Sequence, residues 1–364
     1  MKVITILGAR PQFIKASVVS QAFKRSGIDE IIIHTGQHFD ASMSDIFFKD
    51  LDLPSPNHHL GIHSLNHGAM TGRMMEKIEE LTQRHQPDWI CVYGDTNSTL
   101  AGALVAAKLN ISLAHVEAGL RSFNRQMPEE INRVVTDHLS QLLFAPTPLA
   151  VECLQKEGIT QGVHLVGDVM MDAILTYQTK AKQTSKILTV SRLNPDGFYL
   201  ATIHRPSNTD DPDRLRAILG SFLTLDLPVA FPVHPRTSTC IQAMGLGHYL
   251  ETGKIIAIPP VGYLDMLMLE AASHAVITDS GGIQKEAYML GRPCFTMRDE
   301  TEWKETVEAG WNCLVQPETL RKSIANFTLP IQASPLYGRG EAATEIAEIL
   351  LPFEQGGFIH QKET

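Results

Sequence analysis

Three carboxylates stand where an acid/base site could form. Asp95 and Glu117 each follow directly on a short apolar run, and Glu129 follows a proline at a predicted helix start. Polar groups at the carboxyl ends of parallel strands face the ligand crevice of an open sheet, so Asp95 and Glu117 should converge. Carboxylates held close together repel each other, which separates their pKa values into a proton acceptor and a proton donor. The set predicts general acid/base chemistry, while helix capping explains Glu129 equally well.

A glycine-containing loop near the start of the chain could bind an anion. In Gly8–Lys15 the glycine allows a tight turn and backbone amides open a helix. Arg10 and Lys15 can project from this loop towards a negative charge. An ordinary strand-to-helix turn with solvated cations is the alternative.

A second loop offers bare backbone amides at a helix start. Ser280, Gly281 and Gly282 follow the apolar run Ala275–Thr278, an arrangement that suits a diphosphate. Glu286 in the same helix could accept hydrogen bonds from the hydroxyl pair of a ribose, a role that dinucleotide folds also give to an acidic residue. The alternative is a Ser/Gly cap with a surface glutamate. Neither loop is a GxGxxG or Walker sequence, so we expect no nicotinamide cofactor and no ATP.

His204 is the histidine best placed for chemistry. It ends an apolar run and is followed by an arginine, where an imidazole can stabilise or protonate a departing phosphate. His234 precedes a proline that turns the chain, and we interpret it as structural. Four other histidines lack an HExxH spacing and a neighbouring set of carboxylates, so we predict loop residues and no metal site: His58, His59, His63 and His67.

Composition bounds the class of protein. The 364 residues suit two domains, and 43% hydrophobic with 20% charged residues is typical of a globular chain. A net charge of −9 disfavours nucleic acid and anionic membranes as partners. The five cysteines are odd in number and widely spaced, which indicates reduced thiols. No signal peptide and no membrane span are recognisable, so we predict a cytoplasmic protein.

Short apolar runs alternate with stretches of helical spacing, which is typical of βα units in parallel sheets. We predict two Rossmann-like, doubly wound α/β domains, residues 1–170 and 198–339, joined between Asp168 and Gly197 where an Asn-Pro-Asp-Gly turn occurs. A C-terminal helix within 340–364 is predicted to complete the first domain. The predicted strands are Val3–Leu7, Glu30–His34, Trp89–Tyr93, Ser112–Val116, Leu142–Ala145, Tyr199–His204, Pro228–Pro232, Ile255–Ile258, Ala275–Thr278 and Cys294–Met297.

Nine motifs in a fixed order give the chain a family resemblance. The chain resembles the non-hydrolysing UDP-N-acetylglucosamine 2-epimerases from its first strand to about residue 316. The nine motifs are Gly8–Lys15, His34–His38, Tyr93–Thr96, His115–Arg121, Pro128–Arg133, Val166–Asp168, His204-Arg205, Pro232–Pro235 and Asp279–Glu286. The segment Met297–Asp299 follows them.

The resemblance implies a fold, a reaction and a set of roles. The fold is that of two Rossmann-like domains arranged as in GT-B glycosyltransferases, with the active site in an interdomain cleft and a homodimer as the usual assembly. The reaction on a UDP-sugar is anti elimination of UDP to a 2-acetamidoglucal, then re-addition with inversion at carbon 2, without a cofactor. The implied roles are substrate contacts for Arg10 and Lys15, acid/base groups for Asp95, Glu117 and Glu129, phosphate contact for His204, diphosphate binding for Ser280, Gly281 and Gly282, and ribose binding for Glu286.

Departures from the family pattern bear on the sugar. Val261, Met266 and Trp303 align with a glutamine, a phenylalanine and an arginine that are typical of members acting on UDP-N-acetylglucosamine. With the segments around Arg298 and Gly310, they resemble the branch acting on UDP-2,3-diacetamido-2,3-dideoxyglucuronate, which we favour over UDP-N-acetylglucosamine. A hydrolysing 2-epimerase, a GT-B glycosyltransferase and a non-catalytic nucleotide-sugar sensor are the other classes considered.

The activator site that the resemblance implies is altered in this sequence. In bacterial relatives, UDP-N-acetylglucosamine binds there through a Gln-His-x-Gln segment and an upstream arginine. Gln37 and His38 are kept here, whereas Asp40 stands at the second glutamine and Ser64 aligns with the arginine. An anion and a hydroxyl weaken diphosphate binding, so we predict hyperbolic initial-rate curves without an activator. A lag abolished by trace UDP-N-acetylglucosamine would contradict this prediction.

Overall fold

The computed structural model describes residues 1–37, 50–331 and 334–351. The chain divides into two compact units. The first unit is formed by Met1–Ala173 and the segment that begins at Tyr337, and the second unit is Ile174–Leu336. The division between Ala173 and Ile174 lies inside the stretch from Asp168 to Gly197.

The first unit contains a parallel sheet. Its seven described strands are β1 (Lys2–Leu7), β2 (Asp29–His34), β3 (His58–His59), β4 (Trp89–Tyr93), β5 (Ser112–Val116), β6 (Leu142–Ala145) and β7 (Val163–Leu165). They lie in the order β3-β2-β1-β4-β5-β6-β7, with every neighbouring pair parallel. β4 and β6 are buried along their whole length, as expected when helices cover both faces of a parallel sheet.

The second unit repeats this architecture. Its described strands are β8 (Tyr199–Thr202), β9 (Val229–Pro232), β10 (Ile255–Ile258), β11 (Ala275–Thr278), β12 (Cys294–Thr296) and β13 (Asn312–Leu314). They lie in the order β10-β9-β8-β11-β12-β13, and all pairs are parallel. In both units the strand order reverses beside the first strand, between β1 and β4 and between β8 and β11. These reversals are the topological switch points of doubly wound sheets.

Helices connect the strands. They are α1 (Arg10–Arg25), α2 (His67–His85), α3 (Asn97–Leu109), α4 (Pro128–Leu139), α5 (Pro148–Lys156), α6 (Val169–Thr184), α7 (Ile187–Val190), α8 (Pro206–Thr209), α9 (Pro212–Leu223), α10 (Pro235–Ala243), α11 (Tyr263–Ala272), α12 (Gly281–Met289), α13 (Lys304–Glu308), α14 (Leu320–Ala325) and α15 (Ala342–Leu350). Several begin with proline, whose missing N–H has no helical partner at that position. Thr96 caps α3 by accepting the Thr99 N–H. In the first unit, α15 packs against α1.

Buried apolar side chains cover the sheets. In the first unit, Ile6 of β1 belongs to a cluster that includes Met74 of α2. In the second unit, Leu200 and Ala201 are neighbours in β8 but belong to different clusters, because successive side chains of a strand point to opposite faces. The second unit therefore has a core on each face of its sheet.

The predicted fold class, two doubly wound parallel α/β sheets, is confirmed. All ten predicted runs form strands, and the largest difference is at β8, which ends at Thr202 rather than His204. Three strands were not predicted, namely β3, β7 and β13, because each has only two or three residues and no apolar run. The prediction that His58, His59 and His67 are loop residues was wrong, since His58 and His59 form β3 beside β2 and His67 begins α2.

The described ranges contain no helix that has both the length and the apolar character to cross a bilayer. Within the same ranges, no three His, Cys, Asp or Glu side chains come together in a way that could hold a metal ion. All five cysteines are free thiols.

Candidate functional site

Both switch points carry polar residues that the sequence singled out. In the first unit, β1 leads into Gly8–Arg10 and β4 leads towards Asp95. In the second unit, β8 leads towards His204 and β11 towards Ser280. Because ligands of open parallel sheets bind beyond the strand ends at this reversal, each unit has one candidate site.

A cavity of about 230 Å³ opens at the switch point of the first unit. Asp95, Glu117 and Glu129 all line it, together with Lys15. Arg10 begins α1, is half-buried and is not among the residues that line this cavity. The structure therefore brings the three predicted acid/base carboxylates together and leaves Arg10 outside the group.

Glu117 is held in a strained backbone conformation. Its φ is +72°, a region that is costly for a residue with a side chain. Its N–H and that of Ala118 both donate to the Phe144 carbonyl, which fixes the turn. The carboxylate is buried and forms an ion pair with Lys15 Nζ. Gly94 leaves room for this pair, since a Cβ there would lie 3.3 Å from Glu117 Oε2.

Asp95 pairs with a cation from α4. Arg133 Nη2 lies 2.5 Å from Asp95 Oδ2, and Asn132 donates to the Asp95 carbonyl at 2.8 Å. The side chain keeps 30% exposure, and Asp95 lines the cavity. Burial nevertheless raises the pKa of Asp95. The charge of Arg133 lowers this pKa, and the charge of Glu117 raises it further. Asp95 and Glu117 thus have different partners in the cavity, Arg133 for Asp95 and Lys15 for Glu117.

Glu129 and its neighbour Glu130 have different places. Glu130 is buried and accepts hydrogen bonds from the N–H groups of Ser122 and Phe123 at 2.8 and 2.9 Å. Although burial opposes the change, these bonds and Arg133 lower the pKa of Glu130. Glu129 is exposed and lines the cavity. Glu130 therefore fixes the backbone at Ser122 and Phe123, whereas Glu129 faces the cavity.

Gln12 of α1 joins the loops that follow β1 and β4. Its Oε1 accepts from the N–H groups of Gly8 and Ala9 at 2.7 and 3.0 Å. Its Nε2 donates to the Tyr93 carbonyl at 2.7 Å. Sequence reasoning missed Gln12, although a glutamine on a buried helix face was a detectable signal because a buried amide needs several partners.

A buried polar network supports the backbone beside both carboxylates. His115 of β5 contacts the Gly94 carbonyl through Nε2 at 2.8 Å and Asp137 Oδ1 through Nδ1 at 2.7 Å. Asp137 Oδ2 accepts from the Gly119 N–H at 3.1 Å and from Arg121 Nη1 at 2.7 Å. Gly94 precedes Asp95 and Gly119 follows the Glu117 turn, so this network fixes both turns. The sequence offered no local signal for it.

Replacing Asp137 with Asn is expected to destabilise the protein by about 1–3 kcal/mol at neutral pH, because a buried charged acceptor is lost. Although burial opposes the change, His115 and Arg121 lower the pKa of Asp137 below its ordinary 3.8. The stabilisation is therefore present above pH 3.8 and is lost as the pH falls through the folded-state pKa. Urea denaturation across this range measures it. Equal stability of variant and wild type at neutral pH would contradict the prediction.

In the second unit, a buried aspartate orients His204. Asp279 is fully buried and accepts the N–H groups of His204 and Arg205 at 2.9 to 3.1 Å. Its Oδ1 also lies 3.3 Å from His204 Nδ1. Burial lowers the pKa of His204, against the charge of Asp279 and with the charge of Arg205. Because the Asp279 carboxylate can only accept, Nδ1 carries a proton, and Nε2 can donate to a phosphate when the ring is the imidazolium. His234 caps α10 by accepting the Arg236 N–H at 3.2 Å, a structural place.

The predicted diphosphate loop opens α12. Ser280 is its N-cap residue, and Gly281 and Gly282 form its first turn. A Cβ at Gly281 would overlap the Glu302 carboxylate, so a larger residue there would have to displace that side chain. Glu286 is only 6% exposed, which contradicts the alternative of a surface glutamate.

The described residues cover only part of the predicted activator segment. Gln37 Oε1 accepts from the Ser98 N–H at 3.0 Å, and Gln37 lines the cavity of the first unit. Ser64 is exposed. His38 and Asp40 lie outside the described residues, so the kinetic behaviour stays a prediction.

The family model described as UDP-N-acetylglucosamine 2-epimerase matches residues 21–351. The chain belongs to this family. It is 50% identical to the UDP-2,3-diacetamido-2,3-dideoxy-D-glucuronate 2-epimerase of Pseudomonas aeruginosa, over 96% of this chain and 99% of that one. It is 43% identical to the UDP-N-acetylglucosamine 2-epimerase of Methanocaldococcus jannaschii, again over 96% and 99%. A crystal structure of the latter with UDP-GlcNAc and UDP has a TM-score of 0.89, covering 97% of this chain and 100% of that one.

Membership of the UDP-N-acetylglucosamine 2-epimerase family confirms the predicted enzyme class, an isomerase. The three departures from the family pattern lie in the second unit. Trp303 is 5% exposed, and Lys285 Nζ lies 4.3 Å from the centre of its ring. Val261 and Met266 pack against the cluster that includes Ala287. Each of these three side chains therefore contacts other parts of the second unit.

Proposed function

We propose that this protein inverts carbon 2 of a UDP-bound 2-acetamido sugar without hydrolysing it. The observation that carries the proposal is the cavity of the first unit, where Asp95, Glu117 and Glu129 meet beside Lys15. Three carboxylates in one cavity exceed what a glycosyl transfer needs, whereas proton removal and proton return at one carbon use a base and an acid.

The proposed reaction has two steps. A carboxylate takes the proton from carbon 2, and the electron pair of that C–H bond forms the double bond between carbon 1 and carbon 2. The bond between carbon 1 and the diphosphate oxygen breaks, and the electron pair of this C–O bond leaves with UDP. The product is a 2-acetamidoglucal. In the second step the UDP oxygen attacks carbon 1 again and a carboxyl group returns a proton to the opposite face of carbon 2. We assign these two roles to Glu117, which is held beside Lys15, and to Asp95, whose pKa is raised by burial.

The residues of the second unit are proposed to bind UDP. Ser280, Gly281 and Gly282 present the amide end of α12 to the diphosphate. His204, oriented through Nδ1 by Asp279, stabilises the departing phosphate as an imidazolium that donates from Nε2. Glu286 binds the ribose.

The favoured substrate is UDP-2,3-diacetamido-2,3-dideoxyglucuronate. The relative at 50% identity that bears this name and the departures at Val261, Met266 and Trp303 support it. The alternative is conversion of UDP-N-acetylglucosamine to UDP-N-acetylmannosamine, which relatives at 43% and 42% identity support.

Incubation with each nucleotide sugar in deuterated water, followed by proton NMR, tests the proposal. We expect the 2-epimer with deuterium at carbon 2 and no accumulation of free sugar. Stoichiometric free sugar and UDP would instead indicate a hydrolysing 2-epimerase. If no nucleotide sugar exchanged its carbon 2 proton for deuterium, the proposed chemistry would be rejected.

A further inference from the structure

Two glutamates of the second unit are buried side by side. Glu270 of α11 is fully buried, and Glu286 of α12 is 6% exposed. The two helices pack against each other, and the Glu286 side chain acts on the Glu270 carboxyl. Glu270 follows Leu269 in α11 and Glu286 precedes Ala287 in α12, and both of these apolar residues belong to one buried cluster. Glu270 has no role in the proposed reaction.

The surroundings of Glu270 allow one proton between the two carboxyls. With both carboxyls ionised, Glu270 would have no hydrogen-bond partner, whereas with one shared proton it donates to Glu286. The titratable groups that face it are Glu286, Tyr263 and Cys294, and none of them is a cation. Burial first, and the charge of Glu286 second, raise the pKa of Glu270 well above its ordinary 4.5. Like charges at contact distance in an apolar interior cannot both persist.

Glu286 is the member of the pair that keeps the negative charge. It has the greater exposure of the two, and charge is less costly where water is nearer. A proton donated by Glu270 satisfies one carboxylate oxygen of Glu286 and restricts its rotation. The rest of the carboxylate can then accept hydrogen bonds from a ligand.

We infer that Glu270 is a positioning residue, a neutral buried acid that holds the Glu286 carboxylate ready for the vicinal hydroxyls of a nucleotide ribose. The inference rests on the proposed function, which assigns the ribose to Glu286. It adds that the pair carries one negative charge rather than two. A second charge would repel a UDP ligand, which is itself an anion.

Binding of UDP and 2′,3′-dideoxy-UDP to the full chain, measured by calorimetry, tests the inference. Glu270→Gln keeps an N–H donor for Glu286, so its UDP affinity should stay within about twofold of wild type. Glu270→Leu removes the donor and should weaken UDP binding about tenfold, while binding of 2′,3′-dideoxy-UDP stays unchanged. Glu286→Gln is the reference for losing the ribose contact itself.

The outcomes separate this inference from the proposed function. If Glu286→Gln discriminates UDP from 2′,3′-dideoxy-UDP as wild type does, the proposed ribose assignment fails and the inference with it. If Glu286→Gln loses the discrimination but Glu270→Leu keeps it, only the positioning role fails. Equal weakening of both nucleotides by Glu270→Leu would indicate a merely structural residue and would also overturn the inference.

Thermal melting of Glu270→Gln against pH is a second readout that needs no ligand. A raised folded-state pKa means that stability from the protonated acid is complete below pH 4.5 and is lost as the pH rises towards the folded-state value. The Tm of Glu270→Gln relative to wild type should therefore increase as the pH rises above 4.5. A Tm difference that does not change with pH would overturn the shared proton.

Discussion

Replacing Glu117 with Gln is expected to slow epimerisation by about 10²–10⁴-fold, the usual contribution of a positioned acid/base group. Glu117 is buried in the first unit, lines the cavity with Asp95 and Glu129, and is held beside Lys15. An amide of the same shape cannot take or return a proton. Asp95→Asn and Glu129→Gln should also slow turnover. Initial rates with saturating nucleotide sugar measure the effect.

The controls separate chemistry from folding. Glu117→Gln leaves Lys15 without its anionic partner, and breaking a buried pair costs about 3–5 kcal/mol. Thermal melting should therefore accompany each rate, and the double variant Lys15→Met/Glu117→Gln removes the unpaired charge. Glu152→Gln on α5 is the matched surface control, because that side chain is 60% exposed, and its rate should equal wild type. Near-native rates in Asp95→Asn, Glu117→Gln and Glu129→Gln alike would reject the acid/base assignment.

The value of kcat/KM for UDP-2,3-diacetamido-2,3-dideoxyglucuronate is expected to exceed that for UDP-N-acetylglucosamine by about 10²–10³-fold. A uronate carries a carboxylate at the position of a neutral hydroxymethyl group. A site built for the carboxylate leaves a cation without its partner when the neutral sugar binds, and this cost appears as discrimination. Side-by-side initial rates with the two nucleotide sugars give the ratio.

Two arginines of the second unit are candidates for the cation. Arg205 Nη2 lies 3.7 Å from Glu302, and Arg236 forms an ion pair with Asp210. Arg205→Gln and Arg236→Gln are compared for this purpose. The variant that loses the cation should have a much lower kcat/KM for the uronate than for the neutral sugar, and the variant at the other arginine is its control. Equal kcat/KM values for the two nucleotide sugars in wild type, or a preference for UDP-N-acetylglucosamine, would contradict this prediction and favour epimerisation of UDP-N-acetylglucosamine.

Local patterns in the sequence were sufficient for most of the fold. Ten strands were predicted because each is an apolar run that ends at a polar or turn-forming residue, as at Trp89–Tyr93 before Gly94. β3, β7 and β13 were missed because each is short and has no apolar run, so that pairing with a neighbouring strand specifies it. His58 illustrates this, since its strand exists through pairing with Ile33 of β2.

The sequence by itself determined ten of the thirteen described strands and the convergence of Asp95 and Glu117, since these follow from apolar periodicity and from what stands at strand ends. The order of the strands, and with it the two switch points, came from the tertiary structure. Only the tertiary structure decided which partners those side chains have. Lys15 meets Glu117 across 102 positions of chain, and Glu270 meets Glu286 between two helices. Such pairs have no local signature, because charge pairing and the desolvation that shifts a pKa arise only when distant segments pack together.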